Sequence, residues 1–247
     1  MIVANEDRRQ ERSSSSRAGA DRAALGALIN IAGRQRMLSH RAVMFLALSQ
    51  VPGGQTDELL ESAGEALGGF AAGVRLLIDG DVEQSIPPLF SDRVRALLST
   101  RIEGHSHGAD VLESFGARGG ACLQRLQAAD SACAGEIRAL ADLAGAVLLP
   151  LLNAIVAAFE QDLAEALKAE GQRAADIHIV MTGALDDIEQ TATRIRLIAF
   201  NALIEAARAG DSGRAFSVIA EEIKNLGDQT RQESAKMQAA IARLFAA

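Results

Sequence analysis

In the last third of the chain, apolar residues recur in alternating steps of three and four: Leu185, Ile188, Ala192, Ile195, Ala199, Ala202, Ala206 and Ala209. Only a helix brings residues so spaced onto one face, and a stripe of this period is a coiled-coil seam. After a Gly-containing break the rhythm resumes with Phe216, Ile219, Ile223 and Leu226, then with Met237, Ala240 and Leu244. The pattern predicts a long coiled-coil hairpin over 172–247 with its tip near 209–213. Small Ala at successive seam positions lets the helices approach closely. A lone hairpin of this kind buries too little apolar surface, so a homodimer forming a four-helix bundle at the tip is expected.

The rest of the chain also reads as helix. Ala, Leu, Glu and Arg dominate, and there are eight Phe but no Trp or Tyr. Runs of β-branched and aromatic residues that would build strands are missing. Turn signals at "VPGGQ" (51–55), "DGD" (79–81), "SIPP" (85–88), "GARGG" (116–120) and Gly171 separate helical segments near 19–50, 55–79, 89–115 and 121–170, the last bent at Pro150. Short connections favour antiparallel neighbours. The expected fold is therefore all-α, an antiparallel bundle over 21–170 followed by the hairpin. The charged, Ser-rich segment 1–20 is expected to be a disordered tail.

A net charge of −7 argues against a nucleic-acid partner, because phosphate contacts need a basic surface. No secretory signal is visible, and a cytoplasmic location is expected. The apolar run "LAGAVLLPLLNAIVAAF" (143–159) is short for a membrane span and carries Pro150 and Asn153, which favours a buried helix. Cys122 and Cys133, if they share one helix, lie about 16 Å apart and cannot bridge. Two reduced thiols are expected. Glu103, His105, His107 and Asp110 cluster in "EGHSHGAD", but H-x-H on a helix points its imidazoles apart, so no metal and no cofactor is expected. No nucleophile–base pair, P-loop or dinucleotide fingerprint appears, which argues against an enzyme.

At the break, Asn201, Glu205, Arg208, Asp211 and Arg214 crowd one exposed face. Such charges at i,i+3 spacing also make an ordinary solvated face. The stretch "LIAFNALIEAARAGDSGRAFSVIAEEIKNL" (197–226) nevertheless resembles, without a gap, the kinase-control tip of methyl-accepting chemotaxis receptors. The resemblance implies a docking surface for a CheA-type histidine kinase, a CheW-type coupling protein and other chemoreceptors. By position, Leu197, Asn201, Glu205, Arg208 and Asp211 match the face where receptor dimers meet in trimers. Arg214, Phe216 and Val218 fall on the returning arm, where adaptor and kinase contacts are expected. The chain departs from the family pattern at Thr193, Arg194 and Arg196. Added cations there repel across a threefold axis unless acids answer them.

Near the N-terminus, steps of three and four from Leu25 give Ile29, Ala32, Arg36, Ser39, Val43 and Leu46, so an Arg and a Ser interrupt an apolar seam. A buried guanidinium needs an answer: an acid on a neighbouring helix, an escape to solvent, or a bound anion suited to its planar fork. The stretch "INIAGRQRMLSHR" (29–41) resembles the sensor module of PilJ-type pilus chemotaxis transducers, itself similar to the nitrate/nitrite-sensing bundle of the NarX and NarQ kinases. Ala32, Gly33, Arg36, Met37 and Ser39 match the shared core. The resemblance implies that Arg36, with Gly33, Met37 and Ser39 around it, holds a small anion such as nitrate or nitrite. The chain as a whole then reads as a chemoreceptor-like transducer that passes ligand binding to a kinase. Two other readings stay open: a non-sensing structural or decoy member of receptor clusters, and an anion sensor whose hairpin only dimerises it.

Overall fold

The computed structural model describes residues 3–52, 56–83, 86–102, 107–128 and 133–245, with side-chain surroundings from Asp21 onward. Seven α-helices carry these residues: α1 (Val3–Leu48), α2 (Thr56–Asp79), α3 (Asp92–Ser99), α4 (Gly108–Gln127), α5 (Ala134–Leu143), α6 (Leu149–Arg208) and α7 (Arg214–Leu244). Helix α1 runs through most of the segment 1–20 for which the sequence predicts a disordered tail. The chain divides into two compact units, residues 1–167 and 168–247.

In the first unit, α1 packs on α2, α2 on α4, and α5 closes against α1 and α4. Phe70 of α2 and Phe115 of α4 meet edge to face, with ring centroids 4.9 Å apart, and both are fully buried. Around them lie Leu28, Leu46, Leu112, Leu140, Leu148, Leu152, Ile155 and Phe159. The continuous helix Ala134–Arg208, which contains the run 143–159, is long and apolar enough to cross a membrane by length and composition. Its apolar residues Leu148, Leu152, Ile155 and Phe159 nevertheless line this core.

Three boundaries differ from the sequence expectation, each for a local reason. "GARGG" is no turn but the middle of α4, where Gly119 lets α2 come near: a Cβ there would stand 2.5 Å from Leu67 Cδ2. The predicted segment 89–115 divides because Ser91 caps α3, accepting from the Val94 N–H at 3.2 Å, and its hydroxyl donates to Asp162. His107 opens α4 with its N–H donating to Asp110 Oδ2 at 2.9 Å. Lastly, the helix of 121–170 ends after Gln127 and restarts at Ala134. A single π-turn, Ala144–Leu148, then joins α5 to α6 just ahead of Pro150. Proline has no N–H and its ring crowds the carbonyl four residues back, so a wider turn upstream keeps the helix continuous.

The break after Gln127 overturns the single-helix geometry assumed for the cysteines. Cys133 folds back onto Cys122, and both are buried thiols joined by no disulfide. Burial pushes the Cys122 thiol up to about 11, with Cys133 and Glu136 beside it adding to the shift.

In the second unit, α6 and α7 form a hairpin through one 3-10 turn, Gly210–Gly213. Leu185, Ala192, Ala199 and Ala206 of the outgoing arm are buried, as are Gly213, Ala220, Gly227, Ser234 and Ile241 on the return. Each set is spaced by seven residues, the signature of a coiled-coil line. The inner line on α7 is therefore not the apolar one expected from Phe216, Ile219, Ile223 and Leu226. Those four stay exposed, and a line of Gly, Ala and Ser takes the inside because close-packed arms leave no room for larger side chains. Polar pairs bridge the arms beside this line. Ser234 Oγ donates to Leu185 O at 3.3 Å, Gln238 Nε2 to Asp186 Oδ1 at 3.2 Å, and Arg196 Nη1 to Asp228 Oδ1 at 3.3 Å.

Candidate functional site: the hairpin tip and the Arg36 region

Helix α6 ends where the Ala209 N–H donates to Glu205 O at 3.1 Å and the chain turns left-handed at Gly210, φ 60°. Glycine adopts that backbone without a Cβ penalty, which is why it follows helix ends so often. At Gly213 the need is for space. A Cβ there would lie 2.0 Å from the carbonyl oxygen of Ala206, so the two arms touch backbone to backbone.

This tight closure leaves the predicted docking residues outside. Leu197, Asn201, Glu205, Arg208, Asp211, Arg214, Phe216 and Val218 are all exposed, Phe216 by 69% and Val218 by 70%. Two ion pairs organise the polar ones: Arg208 with Glu205 at 2.8 Å and Arg214 with Asp211 at 3.3 Å, each one helical turn apart. Both pairs lie in solvent, where such bonds orient side chains more than they stabilise the fold. Ile198, Phe200 and Ile204 are exposed beside them and belong to the same outer surface, although no motif singled them out.

A second apolar stripe runs along the hairpin. Ile188 and Ile195 of α6 are exposed, as are Phe216, Ile219, Ile223, Leu226 and Met237 of α7. Near the tip the stripe opens into a groove of about 350 Å³ lined by Ala202, Ala206, Ala209, Phe216, Ile219 and Ile223, among others. Patches of this kind are unusual on a surface that faces only water.

Residues 153–246 match the family profile of the methyl-accepting chemotaxis protein (MCP) signalling domain. The C-terminal part of the chain carries an MCP signalling domain. Such domains are non-catalytic scaffolds. Methyl-accepting chemotaxis protein McpQ of Pseudomonas putida is 45% identical over 24% of this chain and 9% of its own length. McpK of Pseudomonas aeruginosa, another methyl-accepting chemotaxis protein, is 50% identical over 21% of this chain and 8% of its own. The biofilm dispersion protein BdlA of Pseudomonas aeruginosa is 39% identical over 26% of the chain and 15% of its own. The chain thus spans a small fraction of the relatives it matches. No solved structure matches it. The MCP profile begins inside α6, ahead of the boundary near 172 expected from sequence.

The residues expected to hold an anion are arranged differently from the seam that suggested them. The buried positions of α1 include Leu25, Leu28, Ala32, Gln35, Leu38, Ser39, Ala42 and Leu46, so Leu25, Ala32, Ser39 and Leu46 of the expected seam lie inward, and Gln35 rather than Arg36 is the long polar side chain buried there. Gln35 is 1% exposed and rests in the gap left by Gly73 of α2, where a Cβ would stand 2.0 Å from its Nε2. Its Nε2 donates to Ile31 O at 3.1 Å, while its Oε1 is unpaired. Arg36 is half-buried at the edge of the core, its Nη1 donating to Asn153 Oδ1 at 3.0 Å. Gly33 lies against it, a Cβ there falling 3.5 Å from Arg36 Nη2. Ser39 is buried and gives its hydroxyl to Arg36 O at 3.0 Å, and Met37 is half-exposed. The structure therefore places Asn153 and Gly33 beside the Arg36 guanidinium, and Ser39 on the Arg36 backbone carbonyl. Of the histidine cluster, His107 and Asp110 cap α4, and Glu103 and His105 lie outside the described residues.

Proposed function

We propose that this chain is a chemoreceptor-type signal transducer whose hairpin tip docks a CheA-type histidine kinase through a CheW-type coupling protein. The observation that carries the reading is the outward presentation, within the matched signalling domain, of Leu197, Asn201, Glu205, Arg208 and Asp211 as one exposed surface. The second apolar stripe supports a homodimer: seven-residue spacing on both arms suits burial against another copy in a four-helix bundle. Other chemoreceptors are the expected neighbours, with the chain in the cytoplasm beside membrane-bound receptor arrays. Of the two added cations, Arg196 is answered inside the protomer by Asp228, which removes one of the repulsive charges from a threefold contact.

The docking reading is tested with purified CheW from the same genome. Glu205→Ala and Arg208→Ala should each weaken association by about 1–2 kcal/mol, the cost of truncating a contact residue near an interface centre, with far-UV circular dichroism unchanged. Wild-type affinity in both variants would show that the tip serves only to close the hairpin. Retained CheW binding without any effect of ligand on kinase activity would favour the non-sensing structural member.

For the first unit we propose a PilJ-type sensing role with a small oxyanion, nitrate or nitrite, at Arg36. The supporting feature is that the partner of Arg36 is a neutral amide, and among the described residues no carboxylate lies within ion-pair distance of it. An arginine so placed offers a charge and a planar fork to an anion. Nitrate should raise the unfolding temperature at constant ionic strength, growing as RT ln(1 + [L]/Kd), and chloride should do so less. Arg36→Ala is expected to abolish the nitrate shift while Arg34→Ala, exposed on the other side of α1, retains it. Equal shifts from both anions, or a shift that survives Arg36→Ala, would make Arg36 a structural residue that anchors α1 to Asn153.

A further inference from the structure

Cys122 lies in the last turns of α4, Cys133 immediately precedes α5, and Glu136 sits in the first turn of α5. The two sulfurs and a carboxylate oxygen of Glu136 all fall within 4.8 Å of one another. Sequence spacing hides this, because only the chain reversal between α4 and α5 brings the three together. We propose that Cys122, Cys133 and Glu136 form a binding site for a thiophilic divalent cation of the zinc type, with water as the fourth ligand.

Three observations converge on it. The first is distance. Zinc takes sulfur at about 2.3 Å and carboxylate oxygen at about 2.0–2.2 Å, which sets tetrahedral ligand atoms roughly 3.3–3.8 Å apart. Small side-chain rotations carry this cluster there. The second is the carboxylate itself. Two buried thiols alone behave as small apolar side chains, whereas an acid converging on both gives the third ligand of a two-sulfur, one-oxygen set. Arg125 pairs with one oxygen of Glu136 and so fixes how the carboxylate is presented, as outer partners of metal ligands do. The third is position. Cys133 and Glu136 stand at the start of a helix, where anionic ligands are favoured by the exposed N–H groups.

The donor set also selects the ion. Thiolates disfavour magnesium and calcium, which take oxygen ligands, and the carboxylate favours zinc over copper(I). Both sulfurs are buried while Glu136 is exposed, so an ion would enter past the carboxylate. Each thiol gives its proton to solvent as it binds the cation. The bound ion then ties the end of α4 to the start of α5.

The test uses the full chain, kept reduced, with cobalt(II) as a spectroscopic probe and zinc as competitor. One equivalent of cobalt should produce sulfur-to-metal charge-transfer absorption in the near ultraviolet and tetrahedral ligand-field bands in the visible, both erased by zinc. Cys122→Ser and Cys133→Ser should each remove most of the charge-transfer intensity. Because buried-cysteine variants can misfold, the exposed Glu136→Gln supplies an independent measure. It should keep the thiolate absorption and lower zinc affinity by more than the roughly 10–100-fold that follows loss of an outer-shell partner. No charge-transfer absorption in the reduced wild-type protein, or a zinc affinity unchanged by Glu136→Gln, would overturn the site. Conversion of the pair to a disulfide with no metal response when reduced would equally overturn it, and make the pair a dithiol couple instead.

Discussion

Phe115→Ala is expected to lower the stability of the N-terminal unit by about 3–5 kcal/mol. The ring is fully buried, packs edge to face on Phe70, and belongs to the core that α4 builds with α2 and α5. Truncation removes the transfer free energy of a whole ring and leaves a cavity that close-packed helices fill only in part. With no Trp or Tyr in the chain, the measurement is thermal unfolding followed by far-UV circular dichroism. The loss should fall on the transition of residues 1–167. Phe216→Ala is the control: its ring is exposed in the protomer and lies in the other unit, so it should leave that transition unchanged. If Phe115→Ala costs less than about 1 kcal/mol, the α2–α4 packing described here is wrong.

The second large effect is expected at the hairpin turn. Gly213→Ala places a methyl group 2.0 Å from the Ala206 carbonyl oxygen, a backbone atom that cannot rotate aside. Relief requires the arms to separate, at a cost of about 3 kcal/mol, the upper end of the usual range for overpacking. Gly210→Ala meets nothing within 4 Å and suffers only its left-handed backbone, for about 1–2 kcal/mol. A protease-susceptibility comparison of residues 168–247 should therefore rank Gly213→Ala well above Gly210→Ala, and wild type lowest. The reverse order would mean that backbone handedness, not close approach, shapes the tip.

Much of this architecture could be read from the sequence because it rests on periodicity. Of the seam expected on α6, Leu185, Ala192, Ala199 and Ala206 lie inside, while Ile188, Ile195, Ala202 and Ala209 stay exposed. On α7 the same logic picked the outer stripe, because the inner positions are Gly213, Ala220, Gly227 and Ser234, which carry almost no hydrophobic signal. Periodicity likewise put Arg36 inward. In the fold Gln35 occupies that position, since Gly73 on a distant segment makes the room and sequence spacing cannot see it. The cysteines were misjudged for the same kind of reason. Whether eleven residues form one rod or fold back depends on a chain break that Ala-rich composition conceals. At the tip the sequence resemblance placed Leu197, Asn201, Glu205, Arg208, Asp211, Arg214, Phe216 and Val218 on the outside, and all are exposed, because the small residues between them take the inside.

The seam of the hairpin has a mechanical consequence. Ala192, Ala199, Ala206, Gly213, Ala220 and Gly227 present a nearly smooth surface on both arms. Interlocking of large side chains is what normally makes sliding between helices expensive. With that absent from the middle, resistance to axial shear falls to the turn at one end, to Leu185, Ser234 and Ile241 with the Asp186–Gln238 pair at the other, and between them to the exposed Arg196–Asp228 and Arg231–Glu189 pairs, which can re-form as the arms shift. The hairpin is stiff against bending and softer along its length, like two rails clamped firmly at their ends and held between them only by exposed charge pairs.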